Sequence, residues 1–274
     1  MVPQAPISNR AGRRPGFGAG EIFSRSFGVW FAQFPAFMLL TALIFAPLVI
    51  YLWLTLGSTL EDPSERVPVV QNIVLEVGGA LLGSALAAAF SYGVFRRLQK
   101  RPAGMGECVL RGVASLPSVM GVVLARGLGI GLLAVPACFM GWRGIPDLLL
   151  HIPSYWLAAV WSAAVPAAVI ERLGVAEALG RSTSLTSGYR GTIFWAWILI
   201  GFVFVLGVVV LTLVGVQVLR DAAPGTQALA VILGIVVTTV LISSIQAVSQ
   251  AVIYHGLRSR KEGVTADELI RAFS

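Results

Sequence analysis

The sequence predicts an all-α fold: a polytopic membrane protein with six transmembrane helices and short cytoplasmic interfacial helices, in a single integral membrane domain covering residues 1–274. Three observations predict it. Apolar residues make up 57% of the chain and charged residues 12%, with a mean hydropathy of +0.84, whereas about a quarter of a soluble domain is charged. Six stretches exceed the roughly 20 apolar residues that a helix needs to cross a hydrocarbon core about 30 Å thick. The basic residues between those stretches fall on alternate connections.

The elements follow in chain order. Residues 1–26 form a cytoplasmic arm. The first span is expected over 27–56, the second over 68–95 with the single charge Glu76, and the third over 118–140 with the single charge Arg126. The fourth covers 148–170, the fifth 191–219 and the sixth 226–254, leaving 255–274 as a cytoplasmic tail. Runs such as Phe37 to Trp53 do not alternate in polarity, which excludes the strand pattern of a β-barrel. The first apolar run is too long and starts too far along the chain for a cleavable signal, so it is expected to remain as a helix. Pro35, Pro47, Pro136 and Pro166 lie within spans, each removing a backbone donor where it can bend a helix. Gly79, Gly83 and Ala87 give the second span a face of small residues suited to close packing at the centre of the bundle.

Orientation comes from the basic residues. Arg10, Arg13, Arg14 and Arg25 precede the first span; Arg96, Arg97, Lys100, Arg101 and Arg111 follow the second. Arg172, Arg181 and Arg190 follow the fourth span, and Arg258, Arg260, Lys261 and Arg271 the sixth. The opposite connections hold only Arg66, Arg143 and Arg220. Both termini are therefore expected in the cytoplasm, with the plasma (inner) membrane as the location. The net charge of +7 is spread over four membrane-flanking segments, a distribution that argues against nucleic-acid binding. Cys108 and Cys138 fall on opposite sides of the membrane in this topology, which excludes a disulfide between them, and no spacing suits a metal.

Three basic segments share a pattern. Glu107 precedes Arg111, Glu177 precedes Arg181 and Asp267 precedes Arg271, each by one helical turn with the acid first. They read as short amphipathic helices starting roughly 80 residues apart, as in three hairpins each followed by an interfacial helix. Glu21 to Phe27 is a candidate fourth. Duplication and convergence under the positive-inside constraint both account for the pattern.

The segment Glu171-Arg172-Leu173-Gly174-Val175, followed by Ala178-Leu179-Gly180-Arg181-Ser182 and Leu185-Thr186-Ser187-Gly188, resembles the E-x-L-G-V, A-L-x-R-S and L-T-x-G motifs of the glycerophosphodiesterase membrane-domain family. Tyr254-His255-Gly256-Leu257-Arg258-Ser259-Arg260-Lys261-Glu262-Gly263 is similar to that family's Y-Y-D-L-R-x-R-K-E-G. His255 and Gly256 replace its second Tyr and its Asp, so no role of that Asp is carried over. The resemblance covers roughly the last 110 residues. It implies a six-helix membrane domain in which Glu171, Arg181, Ser182, Gly188, Arg258, Arg260, Glu262 and Gly263 carry the motifs. The resemblance places the phosphodiesterase activity in a separate barrel of about 250 residues, so that activity is not expected of these 274 residues.

Arg126 is the sharpest candidate for a functional residue. At about eight residues into its span it lies on the order of 12 Å deep, where a charge costs at least about 2.5 kcal/mol near the bilayer centre. Two readings stand: pairing with Glu76 or binding an anion at a cavity, or snorkelling to the inner headgroups. Ser243, Gln246, Gln250 and Tyr254 recur every three or four residues, lining a polar pathway or hydrogen-bonding neighbouring helices. His151 and His255 lie at the interfaces without a second ligand at metal spacing. Trp30, Trp53, Trp142 and Trp156 fit an interfacial aromatic belt.

The chain contains no phosphate loop, nucleophile motif or intramembrane acid pair, so no enzymatic activity and no cofactor are expected. The expected function is a non-catalytic scaffold or lipid-interacting module in envelope or lipid homeostasis, with membrane lipids and other membrane proteins as partners. The alternative is a transporter or channel-like permeation unit for a small solute.

Overall fold

A computed structural model describes residues 17–61, 69–98, 105–140, 149, 151–221 and 224–262. All regular structure among the described residues is helical: α1 (Ala19–Ala32), α2 (Phe34–Glu61), α3 (Val69–Leu98), α4 (Met105–Met140), α5 (Ile152–Val160), α6 (Ala164–Glu171), α7 (Val175–Thr186), α8 (Arg190–Val218) and α9 (Pro224–Lys261). Five segments of these are long and apolar enough to cross a membrane: Phe34–Tyr51, Gly112–Leu133, Ile152–Glu171, Arg190–Val218 and Val236–Lys261. They point to a multi-pass membrane protein. The second expected span falls on α3, whose shorter apolar stretch is Leu81–Arg96.

Prolines divide two of the expected spans. The chain leaves the helix at Gln33, whose N–H turns back to the Trp30 carbonyl, and resumes in α2 with Pro35 in its first turn. The expected single helix over 27–56 is thus two. The fourth span is interrupted at Trp161–Ala163, one turn before Pro166, because a proline removes the donor for the carbonyl four residues back and its ring crowds that carbonyl. Pro47 lies within α2 without ending it.

The first expected interfacial segment is not separate either. It continues into the third span as α4, a helix of 36 residues that runs through Gly112 and Pro117 without a break. The second segment is a distinct helix, α7, and the third lies outside the described residues apart from its approach along α9. α1 takes the place expected for the fourth.

α9 is the central helix, touching α1, α2, α3, α6, α7 and α8. The second span, expected at the centre for its small residues, packs as α3 against four helices, α2, α4, α6 and α9. Three apolar clusters hold the bundle. Trp30, Phe37, Phe45, Phe90, Ile200 and Ile245 join α1, α2, α3, α8 and α9. Ile22, Ala159, Leu185, Ile193 and Tyr254 join α1, α5, α7, α8 and α9. Val119, Val122, Val165, Val169 and Ala178 join α4, α6 and α7. All three sit towards the arginine-rich end. Away from it the helices separate, and in α8 every large apolar residue from Val209 to Val218 is exposed, Val218 by 74%.

Candidate functional site

Two features bring polar groups together: an ion network at the arginine-rich end, and the interrupted α5–α6 helix beside α4.

Glu171 ends α6, Arg181 stands midway along α7, and Tyr254, Arg258 and Glu262 recur every four residues at the end of α9. That spacing places the last three on one face. The Arg181 Nε donates to both Glu171 oxygens at 3.1 and 3.0 Å, and its Nη2 bonds Glu262 Oε1. Arg258 Nε donates to Glu262 Oε2 at 3.0 Å and its Nη1 to the Tyr254 hydroxyl at 2.9 Å. The hydroxyl in turn donates to Glu171 Oε1 at 2.6 Å. Two acids, two arginines and a phenol form a closed, charge-neutral ring. Burial alone lowers the Arg181 pKa, but the hydrogen bonds and charges of Glu262 and Glu171 outweigh it and hold the guanidinium above its ordinary value. Its charged form is thereby favoured.

Further contacts tie α1 and α7 to α9. Arg260 lies 3.7 Å from Glu21, which also pairs with Arg25 at 3.5 Å, and Arg260 stacks over the Phe17 ring. Lys261 Nζ donates to the Ser184 carbonyl at 2.6 Å, and Arg190 reaches the Thr183 carbonyl at 3.5 Å. Cations at the carboxyl end of α7 complement its dipole.

Ser182 repairs the interruption in the fourth span. Its Oγ donates to the Val160 carbonyl at 2.8 Å and accepts from the Ala163 N–H at 3.2 Å, while Thr186 Oγ1 donates to the same carbonyl at 3.1 Å. These are backbone groups that the break releases, and a buried orphan costs about 1–3 kcal/mol. Gly188 turns the chain from α7 into α8 at φ 84°, a conformation that favours glycine.

The expected pair of Glu177 with Arg181 does not form. Glu177 Oε2 accepts from the Gly174 N–H at 3.2 Å at the start of α7, leaving Arg181 to Glu171 and Glu262. The side chains of Glu107 and Arg111, and the Asp267 and Arg271 pair, lie outside the described residues, as does Gly263. Trp30 is packed inside the bundle: it is 5% exposed and its Nε1 donates to Ser244 Oγ at 2.9 Å. Trp156 is exposed, and the side chains of Trp53 and Trp142 lie outside the description.

Arg126 is half-buried on α4 and makes no hydrogen bond or ion pair among the described residues. The Glu76 side chain lies outside them. The polar positions of α9 do not share one environment: Gln246 is exposed, Ser243 half-buried and Gln250 buried. The Gln250 Oε1 has no hydrogen-bond partner, nor has the buried Ser91 Oγ on α3. Phe95 of α3 meets Tyr254 of α9, and one turn back along both helices this register sets Ser91 beside Gln250.

Among the described residues no group of three or more His, Cys, Asp or Glu side chains is placed to hold a metal. Compared with protein-family models, curated proteins and solved structures, the chain matches none.

Proposed function

We propose that this chain is a non-catalytic protein of the plasma membrane that crosses it six times with both termini in the cytoplasm. It serves as a lipid-interacting scaffold in envelope or lipid homeostasis, as a member of the glycerophosphodiesterase membrane-domain family. One contrast carries this reading. The arginine-rich half is cross-braced by the ring of Glu171, Arg181, Tyr254, Arg258 and Glu262, whereas the far half of α8 offers apolar side chains that no described residue covers. A helix of 29 residues spans about 44 Å, more than the roughly 30 Å of hydrocarbon. Such a surface is suited to acyl chains and to other membrane helices, and the braced half is suited to holding it in place.

Native mass spectrometry of the purified full-length protein tests the proposal. Phospholipid or a partner membrane protein retained through detergent exchange is the expected result. A chain that emerges bare, and that carries a solute across proteoliposomes, would sink it.

The unpartnered Ser91 and Gln250 favour a second reading, a permeation unit for a small solute along the α3–α9 contact. Osmotic swelling of proteoliposomes in glycerol or potassium phosphate is then expected to exceed that of empty liposomes and to fall with Gln250→Ala. Equal rates for the protein and empty liposomes remove this reading.

A further inference from the structure

α1 lies along both α8 and α9, and the contacts at its two ends fix how. At one end Phe17, two residues before α1, enters a socket. Its ring meets the Tyr189 ring at nearly a right angle and 5.2 Å, and the Arg260 guanidinium stands over it at 5.1 Å. A Cβ on Gly256 would come within 2.6 Å of the same ring, so only glycine leaves room for it there. At the other end the Phe27 ring lies 6.4 Å from that of Phe204 on α8, and Trp30 Nε1 donates to Ser244 Oγ of α9 at 2.9 Å. Between these ends Ile22, Ser26 and Trp30 recur every four residues and form the buried face of α1.

α1 is tied more loosely than its neighbours. Hydrogen-bonded ions at 3.0 and 3.1 Å join α6, α7 and α9, whereas Glu21 of α1 is shared between Arg25 at 3.5 Å and Arg260 at 3.7 Å. Ser26 is fully buried, yet its hydroxyl makes no hydrogen bond among the described residues and adds nothing that holds α1 down. α1 is also separated from α2 by the break at Gln33, across which the ring contacts are those of Trp30 and Phe31 with Phe34. A single residue that leaves helical geometry between two rigid helices is suited to act as a pivot.

We propose that α1 is a hinged strap, pivoting at Gln33 and latched along α8 and α9 by Phe17 in the socket of Gly256, Arg260 and Tyr189. Its release is a local opening of the kind that loosely tied elements undergo while the rest of a fold stays closed. Release uncovers part of the buried face of α8, where Ile193 and Ala196 cluster with Ile22, and Ile200 with Trp30. The apolar surface exposed on the far half of α8 is thereby extended towards the arginine-rich end. The strap rests on these contacts alone and is independent of the lipid-interacting reading.

The test uses the full-length protein in phosphatidylcholine nanodiscs, carrying Cys108→Ala and Cys138→Ala and one new cysteine. Ser26→Cys is the reporter, since it removes no hydrogen bond among the described residues. Val122→Cys, in the cluster that contains no α1 residue, is the reference. Reaction with N-ethylmaleimide is followed by intact mass. Phe17→Ala is expected to speed labelling at position 26 at least tenfold and to leave position 122 unchanged. Gly256→Ala should do the same, because its Cβ takes the space of the Phe17 ring. Hydrogen exchange on the protein with its native cysteines gives a second measurement: Phe17→Ala should speed exchange across Ala19–Ala32 and spare Ala164–Glu171. Labelling at position 26 that neither substitution changes overturns the latch. Labelling that quickens equally at 26 and 122, or exchange that rises equally in both helices, shows α1 opening only with the whole fold and overturns the strap.

Discussion

Tyr254 and Ser182 show how much depends on single oxygen atoms here. The Tyr254 hydroxyl donates to Glu171 and accepts from Arg258, both in a partly buried setting. Tyr254→Phe is expected to cost about 1–3 kcal/mol, as for other hydrogen bonds to charged groups, seen as a lower midpoint of thermal unfolding in detergent. Ser182→Ala strands the Ala163 N–H and leaves the Val160 carbonyl to Thr186 alone. A loss of about 1–3 kcal/mol follows, and faster backbone hydrogen exchange confined to Trp161–Ala163 would distinguish it from a global effect. Ser182 and Tyr254 were both visible in the sequence as members of a motif or a stripe. Their partners were not, because Val160 and Glu171 lie far from them in the chain and only packing brings them together.

At the scale of the elements, α4 and α5 are held together by a glycine. A Cβ on Gly129 would meet two Trp161 ring atoms at 2.6 and 2.8 Å, whereas one on Gly131 would meet nothing within 4 Å. Gly129→Ala is expected to destabilise by about 1–3 kcal/mol through overpacking against a rigid ring. Gly131→Ala should be neutral or stabilising by up to about 1 kcal/mol, since alanine is the better helix former. Thermal midpoints of the two variants, measured side by side, decide it; equal losses would contradict the packing. Helix identity was readable from the apolar runs, and so was the weak point at Pro166. That Pro35 separates α1 from α2 while Pro47 leaves α2 unbroken was not, because the neighbours that tolerate a missing donor are set by tertiary contacts. The run from Met105 to Met140 likewise joined an expected interfacial segment to a span. The amphipathic pattern around Arg111 marks no end, and Gly112 and Pro117, which disfavour helix, lie inside α4 without breaking it.

For the whole molecule, the prediction concerns sidedness. With both termini in the cytoplasm, Cys108 is expected to react with a membrane-impermeant maleimide only in inverted vesicles and Cys138 only from the outside. Labelling of both from one side would contradict the six-span topology. In that proposed topology the ion ring of α6, α7 and α9 would lie at the inner surface; on either side, Arg181→Ala should loosen three helices at once. It is expected to lower the thermal midpoint more than Arg25→Ala, whose guanidinium is largely exposed and pairs with Glu21 one turn before it. The sequence by itself determined the helical class, the membrane setting and the positions of the apolar stretches, because lipid demands long uncharged helices whatever they pack against. Only the tertiary structure decided which helix is central, which arginine meets which acid and where a broken helix is repaired. Those depend on contacts between residues distant in the chain, and local composition does not encode them.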